Sequence, residues 1–277
     1  MPIPVKILQS DGELRNAPIS ADSLNDVAIK EPEGIYTVAR TFHRIKAFLF
    51  DAHIERLLES ARLEQIDLAL DRGELRRALF QLIEESGIDE SRFRITIPKD
   101  QPDLIWLAAE PLRLVPPGFK KQGVRLATCE VTRPNPKAKS NAWVNLRNEA
   151  SKGIPEHFYE GIILSEKGHL KEGFSSNTYV IIGGRLYTED QDILHGIARR
   201  VVLTVAPEIT PLHFEPIHVD QLSQIEEAFL TSSSRGIVPI IQINEQPIAA
   251  GRPGPLTQQL STAYDAWVEE HLELIWS

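Results

Sequence analysis

Glu172-Gly173-Phe174-Ser175-Ser176-Asn177 stands at the head of a run of β-forming residues, Ser176 to Ile182, that predicts a strand. Gly183-Gly184 behind that run predicts a tight turn. Read locally, Glu172 is a turn glutamate at a hairpin end, and Asn177 is a side chain that fixes nearby backbone. Upstream, Gly161 to Leu164 and Val124 to Cys129 read as strands, with a helical stretch after Ser140. Downstream, a helix is expected near Gly196, a strand at Ala228 to Thr231, and a last helix over Leu256 to Leu274.

The N-terminal part has its own pattern. Tyr36 to Phe42 and Lys46 to Phe50 predict a hairpin around His43-Arg44. Asp51 is the expected cap of a helix running to about Arg62, with Ile54, Leu57, Leu58 and Ala61 on one face. Asp71 with Glu74 reads as a capping box opening a helix that ends near Gly87. Strands follow at Arg92 to Ile97 and Leu104 to Ala109. Pro116-Pro117-Gly118 with Lys120-Lys121 then reads as a linker. The boundary is placed near residue 118, between a smaller N-terminal α/β domain (1–118) and a larger C-terminal domain (119–277). Strands and helices mix without regular βαβ alternation, so the expected class is α+β.

Composition narrows the function classes. The 277 residues are 42% apolar and 25% charged, ordinary for a soluble globular protein, and long enough for two moderate domains. A net charge of -9 disfavours nucleic acid and anionic membranes as partners. The single cysteine, Cys129, forbids an intrachain disulfide. With no signal-peptide pattern and no membrane-length apolar run, the expectation is a cytoplasmic protein. Neither phosphate-loop nor dinucleotide-binding glycine motifs occur, nor a G-x-S-x-G elbow. The eight histidines are scattered, and no metal is expected.

Four segments between about Gly34 and Pro239 together resemble the class IV aminotransferases, the fold-type IV pyridoxal phosphate (PLP) enzymes. That family includes branched-chain and D-amino acid aminotransferases and 4-amino-4-deoxychorismate lyases. The first segment is Gly34 to Phe42, followed by His53-Ile54-Glu55-Arg56-Leu57. The arginine of the family's H-x-x-R-L stretch binds the cofactor phosphate, which implies Arg56; a guanidinium fork suits phosphate oxygens. Tyr36 resembles the family tyrosine that faces the substrate. The second is Pro136-Lys137-Ala138-Lys139-Ser140-Asn141. The resemblance implies Lys139 as the Schiff-base lysine, favoured over its rival Lys137 by the spacing to Tyr159-Glu160. A neutral lysine amine is a nucleophile toward an aldehyde and can carry a proton. The following Trp143 to Arg147 departs from the family's usual helix start.

The third segment is the opening stretch, which resembles the family's E-G-x-x-x-N signature and implies Glu172 against the pyridine nitrogen. The fourth joins Leu194-His195-Gly196-Ile197-Ala198-Arg199 to Thr231-Ser232-Ser233-Ser234. Here the family has L-x-G-I-T-R. Backbone donors of Ile197 and Ala198, with Ser233, are implied as phosphate ligands, and Ala198 removes one hydroxyl contact.

The resemblance implies a two-domain fold like that of D-amino acid aminotransferase, PLP in the interdomain cleft, and a homodimer. The leading expectation is amino-group transfer from an amino acid, branched-chain-like, to a 2-oxo acid. The alternatives are aminodeoxychorismate lyase and a non-catalytic homologue that binds PLP or serves only as an interaction module. Thr96 to Asp100 lacks the arginine–histidine trap of a D-specific enzyme, although Lys99 could partly substitute. Arg40 is a substrate-carboxylate ligand or a partner in a surface ion pair, and both readings stand.

Overall fold

The computed structural model describes residues 2–113, 117–248 and 250–276. In chain order its elements are β1 (Val5–Leu8), β2 (Leu14–Asn16), α1 (Leu24–Lys30), β3 (Gly34–Arg40), β4 (Lys46–Phe48), α2 (Phe50–Leu63), α3 (Arg72–Ser86), β5 (Ser91–Pro98) and β6 (Ile105–Pro111). After them come α4 (Pro117–Gln122), β7 (Val124–Cys129), α5 (Ala142–Lys152), β8 (Glu160–Leu164), β9 (Leu170–Gly173), β10 (Ser176–Ile182) and β11 (Arg185–Tyr187). The chain finishes with α6 (Ile197–Val205), β12 (Leu212–His213), β13 (Glu227–Ser232), β14 (Gly236–Ile243), β15 (Gln246–Pro247), α7 (Pro255–Glu270) and β16 (Leu272–Leu274). Of the expected linker, Pro116 lies outside the described residues, and α4 begins at Pro117.

Two compact units form. The first comprises Met1–Arg113, Lys137–Asn145 and His271–Ser277, and the second comprises Leu114–Pro136 and Leu146–Glu270. Two stretches beyond residue 118, at 137–145 and 271–277, therefore belong to the first unit.

The sheet of the first unit is antiparallel, in the order β2-β1-β6-β5-β3. Alternation sends Ile35, Ala39, Phe93, Ile95 and Leu107 to one face, where they pack with Phe50, Ile54 and Leu57 of α2 and Leu75 and Leu79 of α3. Val5, Ile7, Trp106 and Ala108 go to the other face, against Leu24 and Val27 of α1. β3 is an edge strand, and the segment before α5 covers it. Ile35 and Ser140 form an antiparallel bridge. Tyr36 N donates to the Lys139 carbonyl at 2.8 Å, and Asn141 N to the Gly34 carbonyl at 2.9 Å. Gly34 has to be glycine here, because a Cβ would stand 2.1 Å from the Ile97 carbonyl oxygen.

Helix α3 follows its local signals. Asp71 accepts from Glu74 N at 2.9 Å, and Gly87 closes the helix in the left-handed region, φ 65°. Helix α2 departs from them. It starts one residue ahead of the expected Asp51 cap, behind Leu49 in the left-handed region at φ 47°, and its first amides are capped from far away. The Glu273 carboxylate accepts from Phe50 N, and from Asp51 N at 3.3 Å. Glu273 is in place because the last helix ends at Glu270 rather than near Leu274. Leu272–Leu274 instead pair antiparallel with β4. Arg76 locks this tail through the Leu274 and Ile275 carbonyls (3.2 and 3.0 Å), and Ile275 is fully buried. Burial and strand pairing outweigh the weak local preference for another helical turn.

In the second unit β9 pairs with both β8 and β10, which closes β10-β13-β14-β7-β8-β9 into a ring. β7 runs parallel to β14 and β8, and the other ring pairings are antiparallel. Val124, Leu126, Ile162, Val180, Leu230, Val238 and Ile240 share one core, and α6 and α7 pack on β13 and β14. Closure leaves few open strand edges. Gly183 and Gly184, at φ 56° and 66°, make the expected turn between β10 and β11. Among the described residues no cluster of three or more His, Cys, Asp or Glu could hold a metal, and no helix is long and apolar enough to cross a membrane.

Glu273→Ala removes the acceptor for two helix amides and one arm of the Arg76 anchor. The expected loss is about 1 kcal/mol, read from the midpoint of urea unfolding. An unchanged midpoint would show that water caps α2 equally well.

Candidate cofactor and substrate site

In the first unit, α2 turns His53, Arg56 and Ser60 inward beside its apolar stripe; all three are buried. Arg56 Nη2 donates to Thr37 Oγ1 at 2.8 Å, and Thr37 Oγ1 also lies 2.8 Å from His53 Nδ1. Ser60 Oγ donates to the Arg56 carbonyl at 2.8 Å and accepts from Lys139 N at 3.1 Å. The lysine backbone is thus tied to the helix that carries the arginine.

Alternation along β3 puts Tyr36 on the face opposite Thr37. Tyr36 packs with Ala28 and Val144, and the Lys139 ammonium lies 4.7 Å from its ring centroid. Lying along the strand edge, Lys139 sends its amide to α2 and its ammonium to the tyrosine face. Arg94 also covers the Tyr36 ring, at 3.7 Å. Its guanidinium is paired with the buried Glu31 carboxylate, and Arg94 Nε donates to Thr96 Oγ1 at 3.0 Å. Asn141 clasps this network: its Oδ1 accepts from Gly34 N at 2.8 Å, and its Nδ2 donates to the Pro32 carbonyl at 2.8 Å and to Glu31 at 3.3 Å. Lys137 is exposed, whereas Lys139 is half-buried. Arg40 pairs with Glu90 at 2.7 Å and stacks over Phe42, so the ion-pair reading describes where its side chain lies.

In the second unit the Glu172 carboxylate is 3% exposed. It accepts from Arg133 Nη1 at 2.8 Å and from Leu194 N at 3.2 Å. Asn177 Nδ2 donates to the Leu194 carbonyl at 2.8 Å, joining the hairpin to the loop ahead of α6. That bond fits its reading as a backbone-fixing residue. Gly196 precedes α6 because a Cβ would sit 2.4 Å from Asn177 Oδ1. A glycine cap leaves α6 without a side-chain acceptor, so the amides of Ile197 and Ala198 open a helix with a bare positive end. Ser233 is half-buried in the turn between β13 and β14. Burial, then the Glu130 charge, pushes the Cys129 thiol above its ordinary value, which disfavours the thiolate.

Reading the sequence missed Thr37, His53, Ser60, Glu31, Arg94 and Arg133. A signal existed for two of them: His53 and Ser60 recur with Arg56 at helical spacing on the buried side of an amphipathic helix. Arg133 carried none, since its partner is 39 residues away.

The residues present fit PLP. A bare helix start and a serine hydroxyl suit a phosphate. A buried carboxylate suits a protonated pyridine nitrogen, and a half-buried amine suits an aldehyde. When bound, PLP would supply an electrophilic aldehyde and a ring that withdraws electrons.

Arg133→Ala would take the cation away from a buried carboxylate, with an expected loss of about 3 kcal/mol of stability read by urea unfolding. The double variant Arg133→Met with Glu172→Gln should recover most of it. Equal losses in both variants would show that the pair is not the source.

Comparison with known proteins agrees with this chemistry. The chain is 30% identical to the D-alanine aminotransferase of Bacillus licheniformis, over 91% of this chain and 94% of that one. It is 27% identical to the branched-chain-amino-acid aminotransferase of Pseudomonas aeruginosa, over 78% and 77%. The fold matches the T.th. branched-chain amino acid aminotransferase with pyridoxamine 5'-phosphate at a TM-score of 0.83, with 20% identity and 99% of both chains covered. The model of the amino-transferase class IV family matches residues 34–243, and the chain belongs to that family of PLP-dependent aminotransferases.

Proposed function

We propose that this enzyme transfers an amino group from an amino acid with an apolar, branched-chain-like side chain to a 2-oxo acid, with Lys139 as its catalytic residue. The observation that carries the assignment is the placement of Lys139. Its backbone is hydrogen-bonded to Tyr36 and to Ser60, and its half-buried ammonium lies over the Tyr36 ring, while Lys137 points into solvent. Only the neutral form of an amine is nucleophilic, and the held backbone fixes where that amine can react.

In this reading Lys139 Nζ takes the substrate α-proton and returns it on the far side of the transfer. Glu172, held by Arg133 and the Leu194 amide, would set its carboxylate against the pyridine nitrogen. For the cofactor phosphate, the groups proposed are the Arg56 guanidinium from the first unit and, from the second, the amides of Ile197 and Ala198 and the Ser233 hydroxyl, each of which would donate to it. Tyr36 lines the substrate side. The Arg40–Glu90 and Arg94–Glu31 pairs favour a donor without a side-chain carboxylate, because each guanidinium already faces an acid. The relatives' names support both branched-chain and D-alanine donors, and the missing arginine–histidine trap at Thr96 to Asp100 favours the former. A homodimer in the cytoplasm completes the proposal.

Borohydride reduction of the PLP-loaded protein, followed by peptide mapping, should place the label on Lys139, and Lys139→Ala should lose both label and turnover. A label on Lys137 would overturn the assignment. A panel of L- and D-amino acids should bleach the cofactor absorbance fastest with L-leucine, L-isoleucine or L-valine. Preference for D-alanine would reverse the donor assignment.

A further inference from the structure

Arg235 is a side chain that the reading above leaves without a task. Its Nε donates to Ser232 Oγ at 2.7 Å. Its Nη1 donates to Tyr159 Oη at 3.1 Å and to Glu160 Oε2 at 3.4 Å. Its Nη2 donates to the Ser175 carbonyl at 3.0 Å and to Ser175 Oγ at 2.9 Å. A guanidinium has five N–H donors, and all five are engaged. Glu160 in turn accepts from Ser175 Oγ at 2.7 Å and from Ser176 Oγ. Glycine at 173 makes room for this packing, since a Cβ there would meet Ser176 Oγ and Glu160 Oε1.

One side chain therefore ties together three segments of the second unit: the serine turn after β13, the Glu172-to-Asn177 stretch, and the start of β8. Among the described residues no protein hydrogen bond engages the hydroxyl of Ser233, next to the Ser232 that Arg235 grips. Arg235 has no donor left for a ligand, but it fixes the turn that presents one. Ala198 adds weight to this turn, because the helix start offers only backbone donors there.

We propose that Arg235 is a positioning residue for the cofactor phosphate. It braces the serine turn against the hairpin of Glu172, so that the Ser233 hydroxyl is preset for a phosphate while Glu172 is preset for the ring. The inference rests on the PLP reading above. Its consequence is specific to the phosphate: loosening the turn should weaken the phosphorylated cofactor and spare its dephosphorylated form.

The test uses the 277-residue chain freed of cofactor, as wild type, Arg235→Lys and Ser232→Ala. Each is titrated with PLP and with pyridoxal, which lacks the phosphate, and binding is followed by absorbance. Both variants should lose about tenfold in PLP affinity, the worth of one charge-assisted hydrogen bond, with less than about a twofold change for pyridoxal. Equal losses for both ligands would mean that Arg235 only supports the fold, and unchanged PLP affinity would likewise overturn the inference. If Arg235→Lys does not fold, Ser232→Ala, which removes one bond, decides alone. A wild type that does not prefer PLP to pyridoxal would overturn the phosphate-site reading and this inference together. A PLP-to-pyridoxal affinity ratio as large in the variants as in a PLP-preferring wild type would overturn the inference and leave that reading standing.

Discussion

The pairing of residues 139–141 with the free edge of β3 is the contact on which the placement of Lys139 rests. An edge strand offers unpaired amides and carbonyls, and a loop segment that takes them up is ordered at no cost in regular structure. The Tyr36–Lys139 and Asn141–Gly34 backbone bonds do this, and the Asn141 side chain adds a second layer by binding Gly34, Pro32 and Glu31. A lysine in an unsupported loop would be a solvated cation. Here the backbone is held first, and the side chain then reaches the Tyr36 ring with few alternatives.

A second constraint concerns buried and half-buried guanidinium groups. Arg94 is matched by Glu31, Arg133 by Glu172, and Arg235 by Glu160 with its serines. Burying either partner alone would be strongly unfavourable, so each pair fixes two segments at once. Arg133 and Glu172 join the loop before Lys137 to the β9–β10 hairpin. Arg235 and Glu160 join that hairpin to the serine turn. Such pairs contribute position more than stability, and position is what a site for a flat, charged cofactor requires.

Helix starts show the same economy by contrast. α3 is capped locally by Asp71. α2 takes its cap from Glu273, and α7 from Glu227, which accepts from Leu256 N at 3.1 Å and Thr257 N at 2.7 Å. α6 has a glycine and no side-chain cap. A helix start left bare where others are provided for is the feature that suits an external anion.

Much of this was legible in the linear chain, because its cues act over a few residues. Strand alternation placed β3, β5, β7, β8 and β10. Asp71, Gly87 and Gly183-Gly184 placed a helix and a turn. The spacing of Arg56, Lys139, Glu172 and the Gly196 loop marked the family. What the tertiary structure alone decided lies between residues far apart: Asn141 and Gly34 are separated by 107 positions, and Phe50 and Glu273 by 223. The expected cap at Asp51 and the expected helix through Leu274 both failed for that reason, since a distant carboxylate and a strand partner outweighed the local preference. Thr37, Arg94, Arg133 and Arg235 look like ordinary strand and loop residues in sequence. Their roles arise from burial beside a charge, a property that neighbours along the chain do not encode.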